Sequence, residues 1–193
     1  MGIAERRQRE KEQRRKAIVD AAERVFFTKG METATMDEVA EEAELSKGTL
    51  YLYFKSKEDL YLAITKRGLN ILIAMFKKAL SKESRGIDKV FAIGRAYQQF
   101  ARNYPDYFRA QAYFNIQANN AGHTGRNAKA CEDQGDIVLS LCAEAIRCGI
   151  EDKTIRKDLI PEKASIILWG QTMGVLQLVL SKKKNILQTN ISL

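Results

Sequence analysis

Proline, histidine and tryptophan are scarce in this chain of 193 residues: two prolines, one histidine and one tryptophan. With proline confined to Pro105 and Pro161, and Ala, Leu, Lys, Glu and Arg abundant, nothing interrupts long helices. No run with the two-residue period of a strand stands out, so the expected class is all-α. A single histidine, His123, in a Gly/Asn loop far from Cys131, leaves no ligand set for a metal and no second imidazole to serve as a base. There is no nucleophile elbow, no phosphate-binding P-loop and no HExxH, so no enzymatic activity, cofactor or metal is expected. The three cysteines (Cys131, Cys142, Cys148) are odd in number and fit reduced thiols in a helical core. Cys142 and Cys148 are six apart and fall on different helix faces. No apolar segment is read as approaching the ~20 residues that span a membrane. The N-terminus is charged rather than signal-like, so a cytoplasmic chain without a membrane partner is expected.

The net charge of +8 is unevenly spread. Residues 1–60 hold 12 Lys/Arg and 13 Asp/Glu, whereas residues 61–193 hold 20 and 11. Residues 1–16 carry seven basic and three acidic side chains, and residues 37–44 carry five acidic ones. The run ERRQREKEQRRK offers Glu5/Arg9, Glu10/Arg14 and Glu12/Lys16 pairs at i,i+4, and either extends the first helix or frays as a basic arm.

Apolar spacing outlines the rest. Ala17, Ile18, Ala21, Ala22, Val25 and Phe26 share one helical face that ends at Lys29-Gly30. Thr35 and Glu38 have the spacing of a capping box, predicting a short helix from about Met36 with Val39, Ala40 and Ala43 on its apolar stripe. Glu44-Leu45 makes a turn, and Ser46 caps a helix from Lys47 to Phe54. Leu50 and Phe54 fall on its buried face, while Gly48, Thr49 and Leu52 point away with Lys47, Tyr51 and Lys55 beside them. Ser56 caps a long helix with Leu60, Ala63, Ile64, Ile71, Leu72, Met75, Phe76 and Leu80 inward. Further helices are expected from about Asp88 to Tyr104, Pro105 to Asn119, Ala128 to Gly149 and Pro161 to Lys184, with NNAGHTGRN as the one clear loop. No repeat or low-complexity linker divides the chain.

The stretch TMDEVAEEAELSKGTLYLYFKSKEDL, preceded by AIVDAAERVFFTKG, resembles the helix-turn-helix of TetR/AcrR-family transcriptional regulators. The resemblance runs from about Ala17 to Leu62, roughly a quarter of the chain. It implies an N-terminal three-helix DNA-binding domain with a basic N-terminal arm (residues 1–60) and a helical ligand-binding and dimerisation domain (61–193). It also implies roles for the matching residues. Thr35 contacts a phosphate. Ser46, Lys47, Gly48 and Thr49 open the recognition helix, and the last three reach into the major groove. Tyr51 and Tyr53 contact phosphates or base edges, although both also suit covering the small core. Lys57 binds the backbone. Leu52 departs from the family pattern, as an outward leucine suited to a thymine methyl or a sugar. The acidic face of the first motif helix is expected to turn away from DNA and the basic arm toward it.

In the second half the aromatics cluster, and the resemblance implies a pocket for a small, apolar or aromatic effector. Phe91, Tyr97, Phe100, Tyr104, Phe108, Gln111, Phe114, Trp169 and Met173 are its candidate walls, with Gln98, Asn115, Gln171 and Thr172 as further polar groups. Many of these aromatics equally suit a core. The resemblance further implies a homodimer formed through the last helices, with Ala164, Ile167, Leu168, Val175, Leu176 and Val179 on the shared face. The family places one more helix after these, for which the nine residues NILQTNISL are too short. The expected function is a ligand-released repressor of a palindromic operator; the alternative is a helical protein-binding adaptor without specific DNA binding.

Overall fold

The computed structural model describes residues 2–117 and 125–181. These form α1 (Ile3–Lys29), α2 (Met36–Glu42), α3 (Lys47–Tyr53), α4 (Lys57–Leu80), α5 (Gly86–Asn103), α6 (Pro105–Gln117), α7 (Arg126–Glu151) and α8 (Pro161–Ser181), with no strand among the described residues. His123, the run Lys182 to Lys184 and the final NILQTNISL lie outside the described residues.

Local caps set the boundaries of the first half. Thr35 Oγ1 accepts from the Glu38 main-chain N–H at 3.3 Å, and Glu38 Oε2 accepts from the Thr35 N–H at 2.9 Å. Ser46 and Ser56 cap α3 and α4 through the N–H groups of Thr49 and Asp59, each at 3.2 Å. Each such cap contributes about 1 kcal/mol. Helix α1 stops at Gly30, whose φ of +83° favours a residue without Cβ.

The charged run does not fray; α1 begins at Ile3. Its expected pairs are not the ones formed. Glu10 takes Arg6 at 2.8 Å, Glu12 takes Gln8 at 2.7 Å, and Glu5 turns back to the N–H of Gly2 at 3.1 Å. The glutamates thus find partners on their N-terminal side, and for Glu5 that partner is a main-chain N–H at the helix start, where such groups lack intrahelical acceptors.

Two clusters of buried side chains share α4. Leu60 and Ile64 join Ile18, Val25, Phe26, Val39, Leu50 and Phe54, whereas Leu62, Leu69, Leu72, Ile73 and Phe76 join residues of α5 to α8. A single stripe on α4 is therefore too simple. Ala63, Ile71, Met75 and Leu80 are only half-buried, and Leu62, Leu69 and Ile73 are buried, because α1, α5, α6 and α7 all pack on this helix.

Helix α5 starts two residues before Asp88 because its cap comes from far along the chain. The N–H groups of Gly86 and Ile87 donate to Asp152 Oδ2 at 2.6 Å and Thr154 Oγ1 at 3.1 Å. Gly86 and Gly149 touch at this corner: a Cβ on Gly86 would lie 1.9 Å from the Gly149 nitrogen. At the other end, Arg126 and Asn127, expected in a loop, open α7.

Helix α8 corrects another expectation. Pro161–Leu180 is long and apolar enough to cross a membrane by length and composition, yet only 11% of it is buried. All three cysteines are free. Burial pushes the Cys131 and Cys142 thiols up to about 12.

Candidate nucleic-acid interface and adjoining cavity

Helix α3 has two unlike faces. Leu50 and Phe54, the latter capping its C-terminus, are fully buried, and Tyr53 is half-buried against the same cluster. Ser46, Lys47, Gly48, Tyr51 and Leu52 are exposed, Leu52 at 76%. An apolar side chain this open on a short, capped helix contributes little to the fold. The half-buried Thr49 has its hydroxyl 2.8 Å from that of Ser46. Thr35 is exposed at the start of α2, with its hydroxyl engaged in the cap.

The charges around this face are partly committed. Lys47 pairs with Asp37 at 2.7 Å, which raises the lysine pKa through the hydrogen bond and the adjacent charge. Asp37 therefore sits beside the open face, contrary to the expectation for the acidic helix, because the first turn of α2 abuts the start of α3. Glu38 and Glu42 instead turn to Lys29 at 2.7 Å and Arg24 at 2.5 Å on α1. Lys57 donates to the carbonyls of Glu32 and Ala34, both at 3.2 Å, pinning the segment before α2 and leaving one of its three N–H groups for an anion.

Two polar clamps join this half to the helices beyond it. Arg15 donates to Asn127 Oδ1 at 2.8 Å and lies 4.2 Å over the Phe54 ring, and Asn127 donates in turn to Asp59. Across α4, Arg67 holds Asp20 at 2.6 Å and Glu23 at 2.7 Å, and the Tyr107 hydroxyl donates to Glu23 at 2.7 Å. Burial pushes the Glu23 carboxyl up, against the opposing pull of Tyr107 and Arg67. Helices α4 and α6 cross closely here, since a Cβ on Gly68 would lie 2.9 Å from the Tyr107 Cβ. No local pattern announces either clamp.

A cavity of about 280 Å³ lies between α4, α5, α7 and α8. Phe76, Phe91, Tyr97, Gln98, Trp169 and Thr172 are among its walls, and the Tyr97 and Trp169 rings stack at 4.5 Å. Of the nine candidate wall residues, Phe91, Tyr97 and Trp169 meet here, with Phe91 largely exposed. Phe100, Phe108 and Phe114 are buried in the core and do not line this cavity. Tyr104 is exposed, Gln111 is buried with its Oε1 unpartnered among the described residues, and the Met173 sulfur accepts from Asn115 at 3.3 Å. Cys142 and Ile146 also line the cavity, and spacing alone did not reveal them.

On α8, Ile167, Leu168 and Val175 are exposed, and Ala164 and Val179 are half-buried. Leu176, expected on the same outward face, is instead buried in the second cluster. It follows Trp169 and Met173 at the i, i+4, i+7 positions of the inward face.

The long α1 and the short α2 and α3, with α3 open on one side, define a helix-turn-helix domain joined to a helical body. Residues 18–64 match the family model of the bacterial regulatory proteins of the tetR family. The HTH-type transcriptional activator FasR of Mycolicibacterium smegmatis is 34% identical over 90 residues, 47% of this chain and 41% of FasR. The match thus spans less than half the length of that relative. Solved structures with the same fold include the regulator FadR from Bacillus subtilis in complex with stearoyl-CoA (TM-score 0.69, 18% identity, 88% of this chain and 89% of that one). Another is AibR in complex with isovaleryl coenzyme A and operator DNA (TM-score 0.63, 19% identity, 85% of this chain and 86% of that one).

Proposed function

We propose that this protein is a ligand-responsive transcriptional repressor that binds a palindromic operator as a homodimer and is released by a small molecule. The observation that carries the reading is α3: capped at Ser46, anchored by Leu50 and Phe54, and open along Lys47, Gly48, Tyr51 and Leu52, with the half-buried Thr49 among them. Lysine, hydroxyl and phenol groups suit phosphates and base edges, and Leu52 suits a thymine methyl. Thr35, Ser46, Tyr53 and Lys57 flank this face in the reading. We divide the chain into a DNA-binding part, residues 1–60, and an effector-binding and dimerising part, 61–193, and place its work in the cytoplasm, where the DNA is.

The apolar cavity supports an effector with an apolar body, and the acyl-CoA ligands of FadR and AibR support an acyl chain for that body. The exposed Ile167, Leu168 and Val175 support pairing through α8, with Ala164 and Val179 at the margin. An effector loosens DNA only by binding the DNA-incompetent state more tightly. Helix α4, shared by both clusters and held by the Arg15 and Arg67 clamps, is the element that such a preference would move.

The test is selection from random duplex DNA at near-physiological salt. The reading requires a recovered palindrome with half-sites about one turn, ~34 Å, apart. Unselective binding alone would instead favour the adaptor. In a reporter carrying the palindrome, the protein should lower transcription; a rise would reverse the sign of regulation. Glutamate at Ile167 and Val175 should give a folded monomer in sedimentation, and an unchanged dimer would remove α8 from the interface.

A further inference from the structure

The N-terminal part of α1 separates its charges by face. Counting back from the buried Ile18 in steps of three and four reaches Arg14, Arg15, Lys11 and Arg7, all on the face that packs the first cluster lower down. At about 100° per residue these four stay within about 60° of Ile18, whereas Glu10 borders the stripe beside Arg14, and Glu5, Glu12, Arg6, Arg9 and Lys16 lie further round. The extension thus carries a basic stripe whose one bordering carboxylate, Glu10, is paired with Arg6. Arg15 is engaged with Asn127 and Phe54, but Arg7, Lys11 and Arg14 are exposed and make no ion pair among the described residues.

These three cations border the recognition helix. They line an open cleft of about 820 Å³ closed on its other side by Leu45 and Tyr53. Of the acids in this cleft, Glu10 is held by Arg6 and Glu44 stands at the α2–α3 turn. Lys11 also lines a second groove with Leu52, Lys55 and Arg126, so it stands between the two openings that flank the end of α3.

We propose that Arg7, Lys11 and Arg14 form a second DNA-contacting element, a rigid basic rail along the sugar–phosphate backbone beside the groove that α3 enters. The proposal rests on the DNA-binding reading above. From Arg7 to Arg14 the helix rises about 10 Å, and phosphates along one strand are spaced ~3.4 Å along the axis. Three cations thus span about three phosphates. A preformed helix presents them without the ordering cost of a disordered arm. Such contacts carry no base preference and act through counterion release.

The experiment compares two double variants of equal charge, Lys11→Ala/Arg14→Ala on the rail and Arg9→Ala/Lys16→Ala on the outer face. Alanine preserves the helix, which circular dichroism checks. Binding to mixed-sequence duplex DNA is measured over a range of salt. The rail variant should lower the slope of log K against log salt by about two, with the sequence preference unchanged, while the outer variant leaves the slope nearly as it was. Equal changes in both variants, or no change in the rail variant, overturn the rail alone. Weakened binding to heparin with an unaltered duplex slope also overturns it, by assigning the stripe to another polyanion. A wild-type protein that binds no duplex removes the reading of α3 as well.

Discussion

Asn127 holds Asp59 twice: its side-chain nitrogen lies 3.0 Å from the Asp59 carbonyl oxygen and 2.7 Å from Oδ1. Its own side-chain oxygen takes the Arg15 guanidinium, so one buried carboxamide ties together the first turns of α4 and α7 and the middle of α1.

Asn127→Ala leaves Arg15 and Asp59 without this partner in a part-buried position. The expected loss is about 1–3 kcal/mol, the cost of unsatisfied polar groups, read as a lower urea midpoint. An unchanged midpoint would mean that water replaces the carboxamide fully.

Gly86→Ala places a Cβ against the Gly149 backbone, where neither helix can give way easily. A loss of at least about 1–3 kcal/mol is expected. Gly135→Ala, with nothing within 4 Å of its added Cβ, should instead stabilise α7 by about 0.5–1 kcal/mol. Thermal denaturation of the two variants separates crowding from helix propensity.

Tyr97 is buried and its hydroxyl has no hydrogen-bond partner among the described residues. Tyr97→Phe should therefore leave stability level or raise it by about 1 kcal/mol, while preserving the stack on Trp169. A clear drop in melting temperature would reveal an ordered partner for the hydroxyl, such as water in the cavity.

Hydrogen bonds from Thr154 and Gly86 hold the Asp152 carboxyl below its usual range. Its folded-state pKa is lower than its unfolded one, so its stabilising contribution is present above the unfolded value, ~3.9, and is lost as pH falls through the folded value. Asp152→Asn should be less stable than wild type at neutral pH, and the gap should close on acidification below that range. A gap that stays constant in acid would assign the effect to shape rather than charge.

Legibility in the sequence followed contact distance. The caps at Thr35, Ser46 and Ser56 each use an N–H three residues on, and the faces of α3 follow from helical period alone, so these were readable. The Arg15–Asn127 link spans 112 residues and the Asp152 cap on Gly86 spans 66, and no local pattern encodes either. Helix α4 misled for a related reason. A helix covered on several sides has no single apolar stripe, so Leu62, Leu69 and Ile73 did not stand out from Ala63 and Ile71. On α8, Leu176 and Val175 are alike in chemistry and differ only in which neighbours the fold brings to them.

The single tryptophan gives the molecule a built-in optical gauge. Trp169 belongs to α8, whose outer face is largely bare, yet its indole stacks on Tyr97 of α5 and meets Phe76 of α4 edge-on at the cavity wall. Filling the cavity or shifting α8 changes the surroundings of the one indole in the chain. Under the proposed function its emission colour and intensity would follow effector titration and subunit pairing without an attached dye, and single-residue changes elsewhere would leave that signal interpretable.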